Sequence, residues 1–123
     1  MNTEFTLSVD AMGGDDAPEM TVEGVKLALD MMPHVRILLF GDERKITPNV
    51  ESVLGRLRDR VEIRHTEDKV SSDEKPSNAL RNGRNSSMRL AINSVRDGEA
   101  SGIVSAGNTG ALMAMAKFVM KTL

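Results

Sequence analysis

The sequence predicts an α/β fold with a mainly parallel sheet, and three observations support this prediction. Short apolar or alternating runs, typical of strands, recur along the chain, and each is followed by a segment with helical spacing. Glycine-bearing turns follow the first and the last of these runs. The chain of 123 residues is also long enough to bury one core. Regular alternation of strand and helix favours parallel strands joined by helices.

The first predicted strand is Phe5–Val9, where apolar and polar residues alternate. It ends at Asp10–Gly14, a turn that contains two glycines. A helix is predicted between Met20 and Met32. We expect it to pack over most of its surface, because its polar residues form only a narrow stripe: Glu23, Lys26 and Asp30.

The middle of the chain contains two further predicted strands. Val35–Phe40 is an apolar run typical of a buried strand, and we expect a helix from about Pro48 to Arg58 after it. Val61–His65 alternates and is predicted to be the third strand. The polar segment Thr66–Pro76 contains few candidates for the core, so we expect a mobile loop there.

The last part of the chain carries the strongest helical pattern. Its apolar residues are spaced as on one helix face, with Gly98 as the predicted C-cap: Met88, Ala91, Ile92 and Val95. Ile103–Ser105 is the predicted fourth strand, and Thr109–Lys121 the fourth helix. Because the chain ends near this apolar helix without returning to the sheet, we expect residues 1–123 to be one α/β domain or the amino-terminal fragment of a larger enzyme.

Composition excludes several classes of function. The 16 basic and 18 acidic residues give a net charge of −2, and only three residues are aromatic, so nucleic acid is not an expected partner. The absence of cysteine excludes disulfides and a thiol nucleophile. The first residues lack a basic region followed by a long apolar run, so we do not expect a secretory signal, and no apolar run approaches the about 20 residues of a membrane span. We therefore expect a cytoplasmic protein, with peripheral membrane contact left open.

Two glycine-bearing loops are the candidate binding elements, at residues 11–18 and 106–110. Both follow predicted strands, and ligands of open parallel sheets bind beyond the carboxyl ends of strands. The second loop, Gly107-Asn108-Thr109-Gly110, precedes a helix, whose free N–H groups suit a phosphate or carboxylate. The same four residues could equally form only a tight turn with a helix cap. They match neither of the common glycine-rich nucleotide motifs.

Other polar residues allow a structural or a functional interpretation. Three acidic residues near the first loop could bind a metal, although aspartate is also common in turns: Asp10, Asp15 and Asp16. We interpret His34 and His65 as structural because they are isolated. A basic region favours a solvated helix face, with a docking surface for an acidic partner as the alternative: Lys75, Arg81, Arg84 and Arg89.

Four segments together resemble the bacterial phosphate acyltransferase family, which makes acyl phosphate for phospholipid synthesis from acyl-acyl carrier protein and orthophosphate. They are VDAMGGDDAPE (Val9–Glu19), FGDE (Phe40–Glu43), KPSNALRNGRNSSM (Lys75–Met88) and VSAGNTGALMA (Val104–Ala114). The resemblance extends from Leu7 onward but covers only the amino-terminal part of the family's proteins.

The resemblance implies a three-layer α/β/α fold, incomplete in this chain, similar to the isocitrate and isopropylmalate dehydrogenases and to phosphotransacetylases. It also implies acyl carrier protein and orthophosphate as partners, a homodimer, and a cytoplasmic enzyme associated peripherally with the membrane. No metal or organic cofactor is implied. A phosphotransacetylase-like or dehydrogenase-like enzyme is the first alternative, and a non-catalytic phosphate-binding or acyl-binding fragment is the second.

The matching segments imply roles for individual residues. The implied catalytic residues are Asn108, Thr109 and Lys75. The implied substrate-binding residues are Asp10, Gly13, Gly14, Ser105, Gly107 and Gly110. Ser105 would be a hydroxyl donor, and Lys75 would supply positive charge. Orthophosphate is itself nucleophilic, so the protein would align it with the thioester carbonyl and stabilise the oxyanion.

Overall fold

The computed structural model describes residues 4–120. Its strands are β1 (Phe5–Asp10), β2 (Val35–Gly41), β3 (Val61–His65) and β4 (Gly102–Val104). Its α-helices are α1 (Glu19–Met31), α2 (Glu43–Leu54), α3 (Pro76–Asn82), α4 (Ser87–Arg96) and α5 (Thr109–Val119), and a 3₁₀ helix covers Gly55–Arg60. The predicted alternation of strands and helices is confirmed.

The four strands form one sheet in the order β3-β2-β1-β4, and every pair is parallel. Leu7 in the centre of β1 lies opposite Ile37 on one side and Gly102 on the other. The chain builds β2 and β3 on one side of β1 and then returns to place β4 on the other side. This reversal puts a crevice at the carboxyl ends of β1 and β4, where ligands of such sheets bind.

Helices cover both faces of the sheet and produce three layers. Helices α1 and α2 bury Val25, Leu29 and Ile46 against one face, together with Ile37 and Leu39 of β2. On the other face, α4 packs against residues of β2 that point the opposite way, Leu38 and Phe40, and α3 and α5 pack beside α4. In this part of the chain no helix has both the length and the apolar character needed to cross a bilayer.

Helix α2 begins five residues before the predicted start at Pro48. Its N-cap is Asp42, whose Oδ1 accepts a hydrogen bond from the Arg44 N–H at 3.0 Å. Burial raises the pKa of Asp42, but the N–H, guanidinium and charge of Arg44 together outweigh it, so the pKa is lowered from 3.8. The prediction of the start was wrong because it used proline as the start signal, whereas the aspartate cap fixes the helix and Pro48 is tolerated inside it.

The segment after β3 contributes a residue to the core, although its polar sequence contains few candidates for the core. Val70 is 7% exposed and packs in a core cluster with Met88 and Met115. Helix α3, which was not predicted, begins at Pro76. Its seven residues include one large apolar side chain, Leu80, and are too few to show helical periodicity.

Helix α1 differs from the prediction on its outer face. Leu27 is 65% exposed and Met31 79% exposed, so the helix does not pack over most of its surface. The buried residues Val22, Val25 and Leu29 form the face toward the sheet. The remaining boundaries agree within a few residues, and the predicted end of the last helix at Lys121 lies outside the described residues.

Candidate anion site at the carboxyl ends of β1 and β4

The two glycine loops lie against each other. A methyl group added at Gly13 would lie 2.8 Å from the Gly107 N atom, and one added at Gly107 would lie 3.1 Å from the Gly13 Cα. Gly14 has a φ of +93°, a conformation that favours glycine, and also faces the second loop at Ala106. The absence of side chains at these positions therefore allows the two backbones to approach.

The Asp10 carboxylate at the end of β1 organises the base of the site. Asp10 is 3% exposed, and its Oδ1 accepts hydrogen bonds from the Met12 N–H at 3.1 Å and the Ser87 hydroxyl at 2.6 Å. Its Oδ2 accepts a hydrogen bond from the Ser105 hydroxyl at 2.9 Å. The Ser105 oxygen in turn accepts one from the Gly107 N–H at 3.2 Å. One buried carboxylate thus links β1, α4 and the second glycine loop.

This arrangement corrects the role expected of Ser105. We expected its hydroxyl to donate to a ligand, but a carboxylate is only an acceptor, so the proton of Ser105 is used by Asp10. Ser105 can therefore only accept a hydrogen bond from a ligand. Ser87 also donates its proton to this carboxylate. No pattern in the sequence pointed to Ser87.

Asn108 is the N-cap of α5. Its Oδ1 accepts a hydrogen bond from the Ala111 N–H at 3.0 Å, and its Nδ2 donates to the Glu74 carbonyl at 2.6 Å and the Ser71 carbonyl at 3.2 Å. The predicted helix cap is therefore present, and it does not decide whether the same turn also binds an anion. The amide also holds the segment after β3 over the start of α5.

This tether brings Lys75 to the site. Its neighbours in sequence both contact the second loop, Glu74 through Asn108 and Pro76 through Gly110, where an added methyl group would lie 2.9 Å from the proline ring. Lys75 itself is exposed. The three segments that carry the predicted site residues are therefore neighbours in space, although Lys75 is more than thirty residues from Asn108.

The start of α5 leaves two N–H groups for a ligand. The first intrahelical bond is donated by Leu112 to the Asn108 carbonyl, and the Ala111 N–H bonds the Asn108 side chain. Within residues 4–120, no partner is found for the N–H groups of Thr109 and Gly110, and both residues are exposed. Unpaired N–H groups and the positive end of the helix dipole attract an anion.

A polar hollow of about 190 Å³ lies between the first glycine loop and the segment after β3. Its wall includes Gly14, Asp15, Lys69, Ser71 and Ser72, so one acidic and one basic side chain border it. Because a water molecule occupies about 30 Å³ of liquid, the hollow can hold several waters or one small oxyanion. Sequence reasoning missed Lys69, since a lysine in a polar segment carries no signal until the fold places it beside a glycine loop.

A second, apolar groove of about 230 Å³ runs between α1 and the edge of the sheet. Leu7, Ala28 and Val104 line its sides, and it ends at Asp10 and Ser105. Val104 is 52% exposed because no helix among the described residues covers β4 on this face.

Other sequence candidates lie outside the site or have structural roles. His65 accepts a hydrogen bond from the Glu43 N–H at the start of α2, at 3.1 Å. Arg89 lies 5.4 Å from the ring centre of Phe118, and burial, followed by the charges of Arg84 and Arg96, lowers its pKa. Within residues 4–120, no group of three or more acidic or histidine side chains is placed to hold a metal ion.

Comparison with known proteins identifies the relatives of this chain. The family model described as "Fatty acid synthesis protein" matches residues 5–123. The chain is 57% identical over 125 residues to a phosphate acyltransferase of Rhodospirillum rubrum, and 54% identical over 123 residues to one of Paramagnetospirillum magneticum; both matches cover 100% of this chain and 35% of the relative. A phosphate acyltransferase of Shewanella amazonensis is 53% identical over 121 residues, covering 98% of this chain and 35% of the relative. This chain spans about a third of the length of these relatives and belongs to the fatty acid synthesis protein family.

Proposed function

We propose that this chain forms the phosphate-holding part of a phosphate acyltransferase. The enzyme would transfer a fatty acyl group from acyl-acyl carrier protein to orthophosphate and so supply acyl phosphate for phospholipid synthesis. The observation that carries the proposal is the convergence of both glycine loops and the Lys69–Lys75 segment at one crevice, in a chain whose relatives bear this name. The relatives do not favour the phosphotransacetylase-like or dehydrogenase-like alternatives.

The chemistry requires positioning and charge stabilisation. An oxygen of hydrogen phosphate attacks the thioester carbonyl and forms the new C–O bond, and the C–S bond then breaks. The acyl group leaves as acyl phosphate, and the proton of hydrogen phosphate is transferred to the departing thiolate of the carrier. Neither a redox step nor a protein nucleophile is needed for this transfer.

The residues of the crevice suit these tasks. The N–H groups of Thr109 and Gly110 and the ammonium groups of Lys69 and Lys75 would hold phosphate or the oxyanion. Gly13, Gly14 and Gly107 let the two loops lie against each other and so shape the wall of the crevice. Asp10 and Ser105 form the base, and Asn108 fixes the start of the helix. The complete enzyme would be a cytoplasmic homodimer, associated peripherally with the membrane, that binds acyl carrier protein and needs no cofactor.

A chimera tests this proposal directly. This chain replaces the matching third of the Rhodospirillum rubrum relative, and the isolated chain is assayed beside it. We expect the chimera to release free acyl carrier protein from acyl-acyl carrier protein only when phosphate is present, and the isolated chain to be much slower or inactive. A folded chimera without phosphate-dependent release, measured beside the active parent protein, would contradict the proposal. Comparable rates for the isolated chain and the chimera would show that the other two thirds are dispensable.

Asn108 separates an anion site from a plain helix cap. Loss of the cap costs about 1 kcal/mol of stability. The amide group of Asn108 is already bonded to Ser71, Glu74 and Ala111, so any effect on catalysis would act through the position of the Lys75 segment. If it does, we expect Asn108→Ala to lower the rate per folded molecule by about a hundredfold, as for a site displaced by about 1 Å. Asp42→Ala removes a cap from α2 and is the control, for which we expect a lower melting temperature with an unchanged rate. If Asn108→Ala and Asp42→Ala both leave the rate nearly unchanged, the turn is a helix cap without a catalytic role.

A further inference from the structure

We infer that Ser87 is a positioning residue for the proposed phosphate site. Through Asp10 it orients Ser105 so that the Ser105 oxygen accepts a hydrogen bond from the P–OH group of hydrogen phosphate. This inference rests on the proposed function and adds to it a means of selecting hydrogen phosphate from unprotonated oxyanions such as sulfate.

The contacts of Ser87 do not serve the helix to which it belongs. Ser87 is the first residue of α4 and is 1% exposed. The cap of α4 is Ser86, which accepts a hydrogen bond from the Arg89 N–H at 3.2 Å. The Ser87 hydroxyl instead reaches across to β1 and donates to Asp10 Oδ1 at 2.6 Å, a partner 77 residues away in sequence.

Two donors on one oxygen fix the direction of the carboxylate. Ser87 and the Met12 N–H both bind Oδ1, which directs Oδ2 toward Ser105. Without the Ser87 hydroxyl, a single backbone N–H remains on Oδ1, and a carboxylate with fewer donors can rotate about its terminal bond. The orientation of Ser105 therefore depends on a residue that does not contact Ser105.

The orientation of Ser105 determines which ligand it can bind. A hydroxyl has one proton and two lone pairs. The Ser105 hydroxyl donates its proton to Asp10 Oδ2 at 2.9 Å. One of its lone pairs accepts a hydrogen bond from the Gly107 N–H at 3.2 Å. Ser105 lines the end of the groove beside α1, where a ligand can reach its second lone pair. This lone pair can only accept, so a ligand facing it must provide a proton. Hydrogen phosphate has one near neutral pH, and sulfate has none.

The test compares two buried serines of the same helix in the chimera. Ser94 is the matched control, because it is 3% exposed and its hydroxyl also pairs with a residue of β1, Ser8, away from the site. Ser87→Ala removes the hydroxyl and Ser87→Thr retains it. Each variant is characterised by its melting temperature, its KM for phosphate and for acyl-acyl carrier protein, and its inhibition constant for sulfate.

We expect Ser87→Ala to raise the KM for phosphate about tenfold, as for one hydrogen bond lost at a buried polar group, without weakening sulfate inhibition. The KM for acyl-acyl carrier protein should not change, and Ser87→Thr should recover most of the loss. Ser94→Ala should lower only the melting temperature. If Ser87→Ala affects stability alone, or if Ser94→Ala shifts the phosphate KM equally, the inference is wrong while the proposed function stands. If the unsubstituted chimera has no phosphate-dependent transfer, both fail.

Discussion

Gly13 shows how closely the backbones of the two loops approach. An alanine methyl group there would lie 2.8 Å from the Gly107 N atom and 3.0 Å from Asp10 Oδ2, and neither atom can move freely. The position therefore requires glycine for space. By contrast, a methyl group at Gly24 on α1 would meet no atom within 4 Å.

These two glycines give a matched pair of substitutions. We expect Gly13→Ala to destabilise the chain by about 1–3 kcal/mol through overpacking. Gly24→Ala should stabilise it by up to about 1 kcal/mol, because alanine favours the helix. Urea unfolding of this chain measures both changes. Equal stabilities for Gly13→Ala and the parent chain would show that the loops can separate at little cost.

At this scale, the sequence predicts some site residues and not others. The glycines, Asn108 and Asp10 could be selected as candidates because turn residues after a strand are a local pattern. Ser87 and Lys69 were not found, because their relevance comes from contacts with segments far away in the chain. Composition and spacing contain no information about such contacts.

Among the secondary-structure elements, the end of α1 depends on a residue from another segment. The Arg60 guanidinium, at the end of the 3₁₀ helix, donates hydrogen bonds to the carbonyl oxygens of Leu29 at 3.1 Å and Val35 at 3.2 Å, and also to that of Met32. The last carbonyls of a helix lack intrahelical partners, so this side chain satisfies them. It also joins α1 to the start of β2.

We expect Arg60→Ala to lower the free energy of unfolding by about 2–3 kcal/mol, since it leaves half-buried carbonyls unpaired. Arg60→Lys should recover only part of this, because an ammonium group cannot form the planar fork. Arg58→Ala, at an exposed position of the same 3₁₀ helix, is the control and should have little effect. Similar losses for Arg58→Ala and Arg60→Ala would assign the effect to net charge.

The elements themselves were largely predictable, and the misses have physical causes. The strands near Leu7, Leu38, Ile63 and Val104 are confirmed as parallel. They were predictable because even a short run of residues shows the apolar or alternating pattern of a strand. The start of α2 was wrong because two start signals, Asp42 and Pro48, compete six residues apart. The exposure of α1 could not be foreseen, because periodicity shows which residues are apolar and not what covers them.

On the scale of the whole molecule, the groove beside α1 is an uncovered apolar surface. Parallel strands are normally covered on both faces, yet Val104 of β4 is half exposed and borders the groove. We expect the isolated chain to bind a hydrophobic fluorescent dye there. Ala28→Glu places a charge in the groove and should reduce dye fluorescence severalfold, whereas Met31→Glu, on the same helix outside the groove, should not. Equal losses in both variants would place the dye elsewhere.

The position of Asp10 has a consequence for the order of events during synthesis. Its serine partners lie 77 and 95 residues later in the chain, and the three side chains meet only after β4 has joined the sheet beside β1. Contacts this distant in sequence carry a large loop-closure entropy and form slowly. On the ribosome, β1, β2 and β3 can pair before β4 has emerged, so the Asp10 carboxylate lacks its Ser105 partner until β4 arrives. A nascent chain can therefore assemble the proposed anion site only after β4 has joined β1, and phosphate bound there cannot stabilise an intermediate that lacks β4.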